Sequence, residues 1–396
     1  MTTFLKSKFV PIAIVALLVV LTVFGLAMMG SVLGAKPKAL PVALAVLDRP
    51  AELPTGEQLA LGEAVKGNLL GLEQLPVEWR TVGSEEEALE AMNGQEVYGA
   101  LVLPADFSAG VLSVSGPEPA PATVKIYLNE GMNPQGVSAV RTILQQVAGN
   151  VSRELTRQVL EQVGQRAEQV PVWTVQALLA PVQIEETSVN PVGANNGSGS
   201  APNMLTQIVW MGTLVLSVLL FQAVKSAREA GGRWGALSGQ ALTGIVLAIG
   251  ASGFLVWMAT AWYGMELTDS ADVWLFLSLA AIAFFLMQSA LFHWLGLPAV
   301  ALLVLLLFFS LPILNLAPEF MPQATRDWLY SWTPFRYVAS GLRNVMYFGG
   351  EREMGLSYAV LWSLAGISLA VLLAAGFRKG PGRAASRAAE SRGEMT

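Results

Sequence analysis

The sequence predicts a membrane α-helical fold with six transmembrane helices, one N-terminal and five C-terminal, and a small extracytoplasmic α/β domain between the first and second. Three observations carry this expectation. Of the 396 residues, 53% are hydrophobic and 13% charged, against about 25% charged in soluble domains. The apolar residues gather in six blocks free of Asp, Glu, Lys and Arg, each close to the ~20 residues that carry a helix across ~30 Å of hydrocarbon. Basic residues flank these blocks on one expected side, whereas acidic residues dominate the long segment between the first two.

Residues 1–35 comprise a short tail and the first block, Phe9–Leu33. Its apolar core exceeds the ~7–15 residues of a signal peptide and "VLGAKP" is a poor cleavage site, so an uncleaved helix is expected. Residues 36–203 have soluble composition. "PVALAVLD" (41–48), "PVEWRTVG" (76–83), "YGALVLPADF" (98–107) and "ATVKIYLNE" (122–130) read as strands, rich in β-branched and aromatic residues. "SEEEALEAMNGQ" (84–95) reads as a helix, with Ser84 and Glu87 as a capping box and Gly94 closing the end. Val137, Val140, Leu144, Val147, Val151 and Leu155 recur at three- and four-residue spacing, one apolar face of a long helix, with the domain's own sheet as the expected cover and a dimer or substrate contact as the alternative. "PVQIEETSVN" (181–190) supplies a last strand, and "PVGANNGSGSAPN" (191–203) is a linker back to the membrane.

Residues 204–377 form the five-helix membrane domain, with blocks Met204–Val224, Gln240–Tyr263, Val273–Trp294, Pro298–Leu316 and Leu356–Phe377. "HWLGLP" (293–298) makes the third and fourth of these an antiparallel hairpin. The segment 317–355 is too charged and Pro-broken to span, yet it carries Trp328, Tyr330, Trp332, Phe335 and Tyr337. Such rings favour a bilayer interface, so short helices at the outer leaflet are expected. Residues 378–396 are a cytoplasmic tail.

Charge sets the orientation. The N-terminal tail, the 225–235 loop and the C-terminal tail hold ten basic residues (two, three and five) against three acidic ones, Glu229, Glu390 and Glu394. Residues 36–203 hold ten basic and nineteen acidic, a net of −9. The positive-inside rule therefore predicts a multi-pass protein of the cytoplasmic (plasma) membrane, both termini cytoplasmic and residues 36–203 outside. Nothing here provides the basic face that nucleic acid requires.

The inventory excludes several chemistries. There is no cysteine and one histidine, His293, so Cys-based zinc sites, His-pair zinc sites and Ser-His-Asp catalysis are ruled out. No GxxxxGK[ST] phosphate loop occurs. Enzymatic activity, a cofactor and a metal are not expected. The spanning blocks offer only Gln207, Gln222, Gln288, Asn315 and hydroxyls, not the ionisable partners of an ion-coupled carrier. Gly231, Gly235 and Gly239 have the spacing of close helix packing.

The stretches "PVALAVLD", "EEEALEAMNGQEVYGALVLPADFS" (85–108), "IYLNEGMNP" (126–134), "VNPVGANNGSGSAPNM" (189–204) and "TPFRYVASGLRNVMYFGG" (333–350) resemble the YhgE/Pip (phage infection protein) family, related to the membrane subunits of type-2 ABC transporters. The outer domain is shorter than in the longer members, lacking their coiled-coil insertion. The resemblance implies a permease served by a separate ABC ATPase subunit, acting as a homodimer or a heterodimer with a related permease, and surrounded by membrane lipid. It also implies that Lys225, Arg228, Glu229, Arg233 and Trp234 lie in the connection that docks the ATPase. Two functional classes follow: an export permease for a hydrophobic or amphipathic substrate, or a non-transporting surface receptor or envelope scaffold.

Overall fold

The computed structural model describes residues 37–52, 58–72, 74–114, 120–166, 182–230, 233–350 and 354–377. The expected first helix, Phe9–Leu33, and the tail 378–396 lie outside the described residues.

The α/β domain is built on a five-stranded sheet with order β4-β1-β5-β6-β7. Its strands are β1 (Leu40–Val46), β4 (Val77–Val82), β5 (Gly99–Leu103), β6 (Ala122–Asn129) and β7 (Val182–Val189), while β2 (Ala51–Glu52) and β3 (Gln58–Leu59) form a separate two-stranded ribbon. β1 pairs in parallel with β4 and β5, β5 and β6 are antiparallel, and β6 and β7 are parallel. Side-chain alternation explains the layers. Leu40, Val42 and Leu44 join Leu101 and Leu103 on the face covered by α1 (Leu61–Gly71), α3 (Phe107–Ser113) and α4 (Pro134–Arg166). Ala43 and Ala100 face the other way, where α2 (Glu85–Asn93) rests on them through Ala88 and Met92. Small residues on that face let α2 sit close; the large ones opposite fill the wider gap, each burial stabilising by about 1.5–3 kcal/mol.

α4 buries Val137, Val140, Leu144, Val147 and Leu155 against this sheet, with Val151 half-buried beside them. β7 is an edge strand exposed from Gln183 to Ser188. Its Glu185 and Glu186 are the kind of charge that discourages edge-to-edge pairing.

The capping box of α2 closes one residue earlier than expected. The Glu87 amide donates to Ser84 Oγ at 3.1 Å, but the Glu87 carboxylate accepts from the Gly83 amide at 2.7 Å. Gly94 caps the C-terminus at φ −75°, and Gln95 takes the left-handed conformation at φ 59°. Glu85, in the first turn, accepts from the Tyr127 hydroxyl and pairs with Lys125 at 3.1 Å. The Tyr127 hydrogen bond, followed by Lys125, holds the Glu85 carboxyl below its ordinary value. A depressed carboxyl adds stability that is present above its unfolded value and lost as pH falls through the folded one. We expect Glu85→Gln to melt below wild type at pH 7, with the gap closing as pH drops below 4.5. A gap that is constant with pH in calorimetry would argue against this linkage.

Among the described residues, four helices are long and apolar enough to span: α5 (Ala201–Ala230), α6 (Arg233–Ala261), α7 (Ser270–Leu295) and α10 (Met354–Ala374). The fifth expected span, α8 (Ala299–Asn315), has 17 residues with Pro312 inside. At 1.5 Å per residue it reaches about 26 Å, short of a ~30 Å core. α7 is central: 78% of its most apolar window is buried, against 33–39% for the other three. Its Phe276, Phe284, Phe285 and Phe292 are fully enclosed. Gln288 is satisfied inside the bundle, donating to the Trp210 carbonyl at 3.2 Å and accepting from Ser217, so this buried amide is part of helix packing.

The Gly- and Asn-rich stretch 191–203, expected as a linker, is pinned. The Asn196 amide donates to the Glu266 carbonyl at 2.7 Å, Asn195 to the Gly264 carbonyl at 3.0 Å, and the Ala194 N–H to the Glu266 carboxylate at 2.9 Å. Ser198, Gly193, Gly197 and Gly199 adopt positive φ, which folds the strap onto the α6–α7 connection. Its composition reads as flexible, but its amides serve as tertiary donors.

Candidate functional site

The helices alternate so that two ends of the bundle differ. One end carries the α/β domain. The other gathers the α5–α6 turn, the α7–α8 turn and the end of α10.

At the turn end, Lys225 is exposed on the last turns of α5. Arg228 and Glu229 continue that helix and Arg233 opens α6, though the side chains of these three lie outside the described residues. Trp234 is 47% exposed and packs edge-on against Phe377 at 5.0 Å. Gly376 permits this, because a Cβ there would stand 2.9 Å from the Trp234 ring. Nearby, His293 Nε2 lies 2.7 Å from Gln240 Oε1, and the Trp294 indole donates to the Val371 carbonyl at 3.0 Å. The start of α6 is therefore braced by α7 and by the segment after α10, and Lys225 is exposed near the end of α5.

At the domain end, α9 (Pro334–Tyr347) carries the aromatic segment into the bundle. Phe335, expected at the interface, is fully buried, with its ring 4.5 Å from Trp210 and 5.5 Å from Phe284. Trp332 is 57% exposed. The Tyr337 hydroxyl donates to the Ser331 carbonyl at 3.0 Å. Tyr330 lies in a π-helical turn, Arg326–Tyr330, and the side chain of Trp328 lies outside the described residues. The strong amphipathicity of α9 explains the split: one stripe is apolar and inserts, while Arg336, Ser340 and Arg343 occupy the other.

That polar stripe borders a cavity of about 220 Å³ between the α/β domain and the bundle. The domain contributes Gln95, Tyr98 and Asn133; α5 contributes Asn203, and the end of α8 with the following turn contributes Leu316 and Glu319. Tyr98 donates to Glu319 Oε2 at 2.8 Å, and burial, then Glu319, pushes its phenol well above the ordinary range. Asn203 donates to the Leu314 carbonyl at 2.8 Å, satisfying the last turn of α8. The Arg336 guanidinium stacks 4.7 Å from the Tyr330 ring centre and 4.5 Å from that of Tyr337. Arg343 Nε and Gln95 Nε2 are buried without hydrogen-bond partners among the described residues. The sequence reading passed over these groups. The signal available was the spacing of Arg336, Ser340 and Arg343, which places them on one helical face.

An apolar bundle with four spanning-length helices among the described residues, joined to a mixed-sheet domain, defines a multi-pass membrane protein. The sequence profile described as "ABC-2 family transporter protein" matches residues 8–377, and the chain belongs to this family. Such permeases are membrane components of transport systems, not themselves catalytic, and normally work with an ATPase subunit. Among solved structures the chain is similar to a domain ascribed to an ABC type-2 transporter of Thermotoga maritima MSB8, at 19% identity, covering 37% of this chain and 84% of that one with a TM-score of 0.26. No curated protein matches the sequence.

Proposed function

We propose that the chain is a YhgE/Pip-like permease subunit of an ABC-2 exporter for a hydrophobic or amphipathic substrate, driven by a separate ATPase docked on the 225–234 turn. The observation that carries this reading is family membership across 8–377, joined to spanning helices without a charged residue in their cores. An uncharged path suits an apolar cargo, and a chain without a phosphate loop takes its energy from a partner. The working unit is two permease chains, a homodimer or a heterodimer with a related subunit. It sits in the plasma membrane with the turn and both termini cytoplasmic and the α/β domain outside. ATP-driven closure of the partner pushes on the turn and tilts α5 and α6, and the Trp234–Phe377 contact passes part of that motion to the segment just after α10. Such a shift requires contacts that differ between the two states, and the docked ATPase supplies them.

The test uses the absence of native cysteine. A single Ser226→Cys carrying a photo-crosslinker, in native membranes, is expected to capture a nucleotide-binding subunit identifiable by mass spectrometry. A correctly inserted, labelled protein that repeatedly captures no ATPase would overturn docking here and favour the receptor or scaffold.

A further inference from the structure

The lining of the cavity beneath the α/β domain is net positive, and Asn203 Oδ1 is buried on its wall as an acceptor without a partner among the described residues. Arg336 and Arg343 line it, and Glu319 is its one carboxylate. Glu319 is already engaged by Tyr98 at 2.8 Å, while Arg336 is held over two tyrosine rings. Arg343 Nε and Gln95 Nε2 remain without acceptors among the described residues. A buried N–H without an acceptor is costly, and the planar fork of N–H groups on a guanidinium matches the oxygens of a carboxylate or phosphate. The walls change character along the cavity, with Ile313, Leu314, Leu316 and Ala339 beside the polar groups. This lining lies where α5, α8 and α9 meet the domain.

We propose that this cavity is a binding site for the oxyanion head group of an amphiphile, with Arg343 as its principal ligand, Gln95 as a second donor and the apolar wall receiving the start of the chain. The site is independent of ATPase docking. It is built entirely at the domain end, and its occupancy is read without ATP.

The experiment uses the full chain in detergent and native mass spectrometry. Phosphatidate and phosphatidylcholine with identical acyl chains are compared, with inorganic phosphate as a separate competitor. Wild type should retain phosphatidate about 10- to 100-fold more tightly than phosphatidylcholine, the scale of losing a charge-assisted bond. Arg343→Met, which keeps the volume of the stem and removes the charge, should abolish that preference. Ser340→Leu, on the exposed cavity side of α9, should lower retention by obstruction with the guanidinium intact, and it serves if Arg343→Met fails to fold. Displacement of phosphatidate by millimolar inorganic phosphate, with Arg343 still required, supports the oxyanion chemistry and assigns a soluble anion as its source. Equal retention of both lipids by wild type, or a preference unchanged in both variants, would overturn the site.

Discussion

Arg228→Glu combined with Arg233→Glu is expected to bring ATPase-dependent activity to background while the protein inserts and folds normally. If the proposed docking holds, two reversed charges between α5 and α6 place like charges against a partner surface that is complementary to basic residues. Like-charge juxtaposition within an interface costs several kcal/mol, or about 100-fold and more in affinity. Among the described residues, the start of α6 is braced through Trp234, Phe377 and Gly376. The measurement is a pair: co-purification of the ATPase, and ATP-dependent transport in vesicles, each beside a protease-protection assay for topology. Undiminished co-purification and transport with normal topology would remove the turn from the docking surface. Inverted topology would instead show that these charges act only through the positive-inside rule.

Gly341→Val should be the most destabilising single substitution near the domain end. A Cβ at Gly341 would stand 2.0 Å from Cζ of Phe276. That ring cannot retreat, because it is fully buried on the central helix and packs edge-on against Tyr358 at 5.4 Å. Overpacking of this kind costs about 1–3 kcal/mol, which lowers melting by roughly 2–10 °C in a domain of this size. Phe276→Leu, which opens space beside the new side chain, should recover part of the loss in the double variant. A melting temperature unchanged by Gly341→Val in detergent would show that α9 is not seated against α7 in solution.

Local pattern made much of the architecture legible. The β-branched and aromatic content of "PVALAVLD" and "ATVKIYLNE" and the three-four spacing from Val137 to Leu155 are local signals, and each segment forms the element that its own residues favour. The Ser84 cap is local as well, four residues deciding it. What escaped is what depends on partners far along the chain. Tyr98 meets Glu319 across 221 positions, so neither residue signals the other. Phe335 looked interfacial because aromatic rings near charges usually are, and its burial beside Trp210 needs α9 to fold back into the bundle. The strap at 191–203 has the composition of a linker, and its order comes from acceptors on Gly264 and Glu266 that lie about seventy residues later. Of the residues expected to dock an ATPase, Lys225 is exposed near the end of α5 and Trp234 packs on Phe377 at the start of α6.

The hydrogen-bonded strap has a mechanical meaning. Because residues 194–196 are tied to the α6–α7 connection and α5 begins five residues beyond, the α/β domain is bolted to the helix tops and cannot swing on a tether. α5 has 30 residues, a rod of about 45 Å at 1.5 Å per residue. A rocking of this rod by about 5° therefore moves its far end by about 4 Å, a displacement comparable to one turn of helix. Force applied at one end of the molecule would arrive at the other as rigid rotation of the whole domain, lifting or lowering the roof of the cavity beneath it.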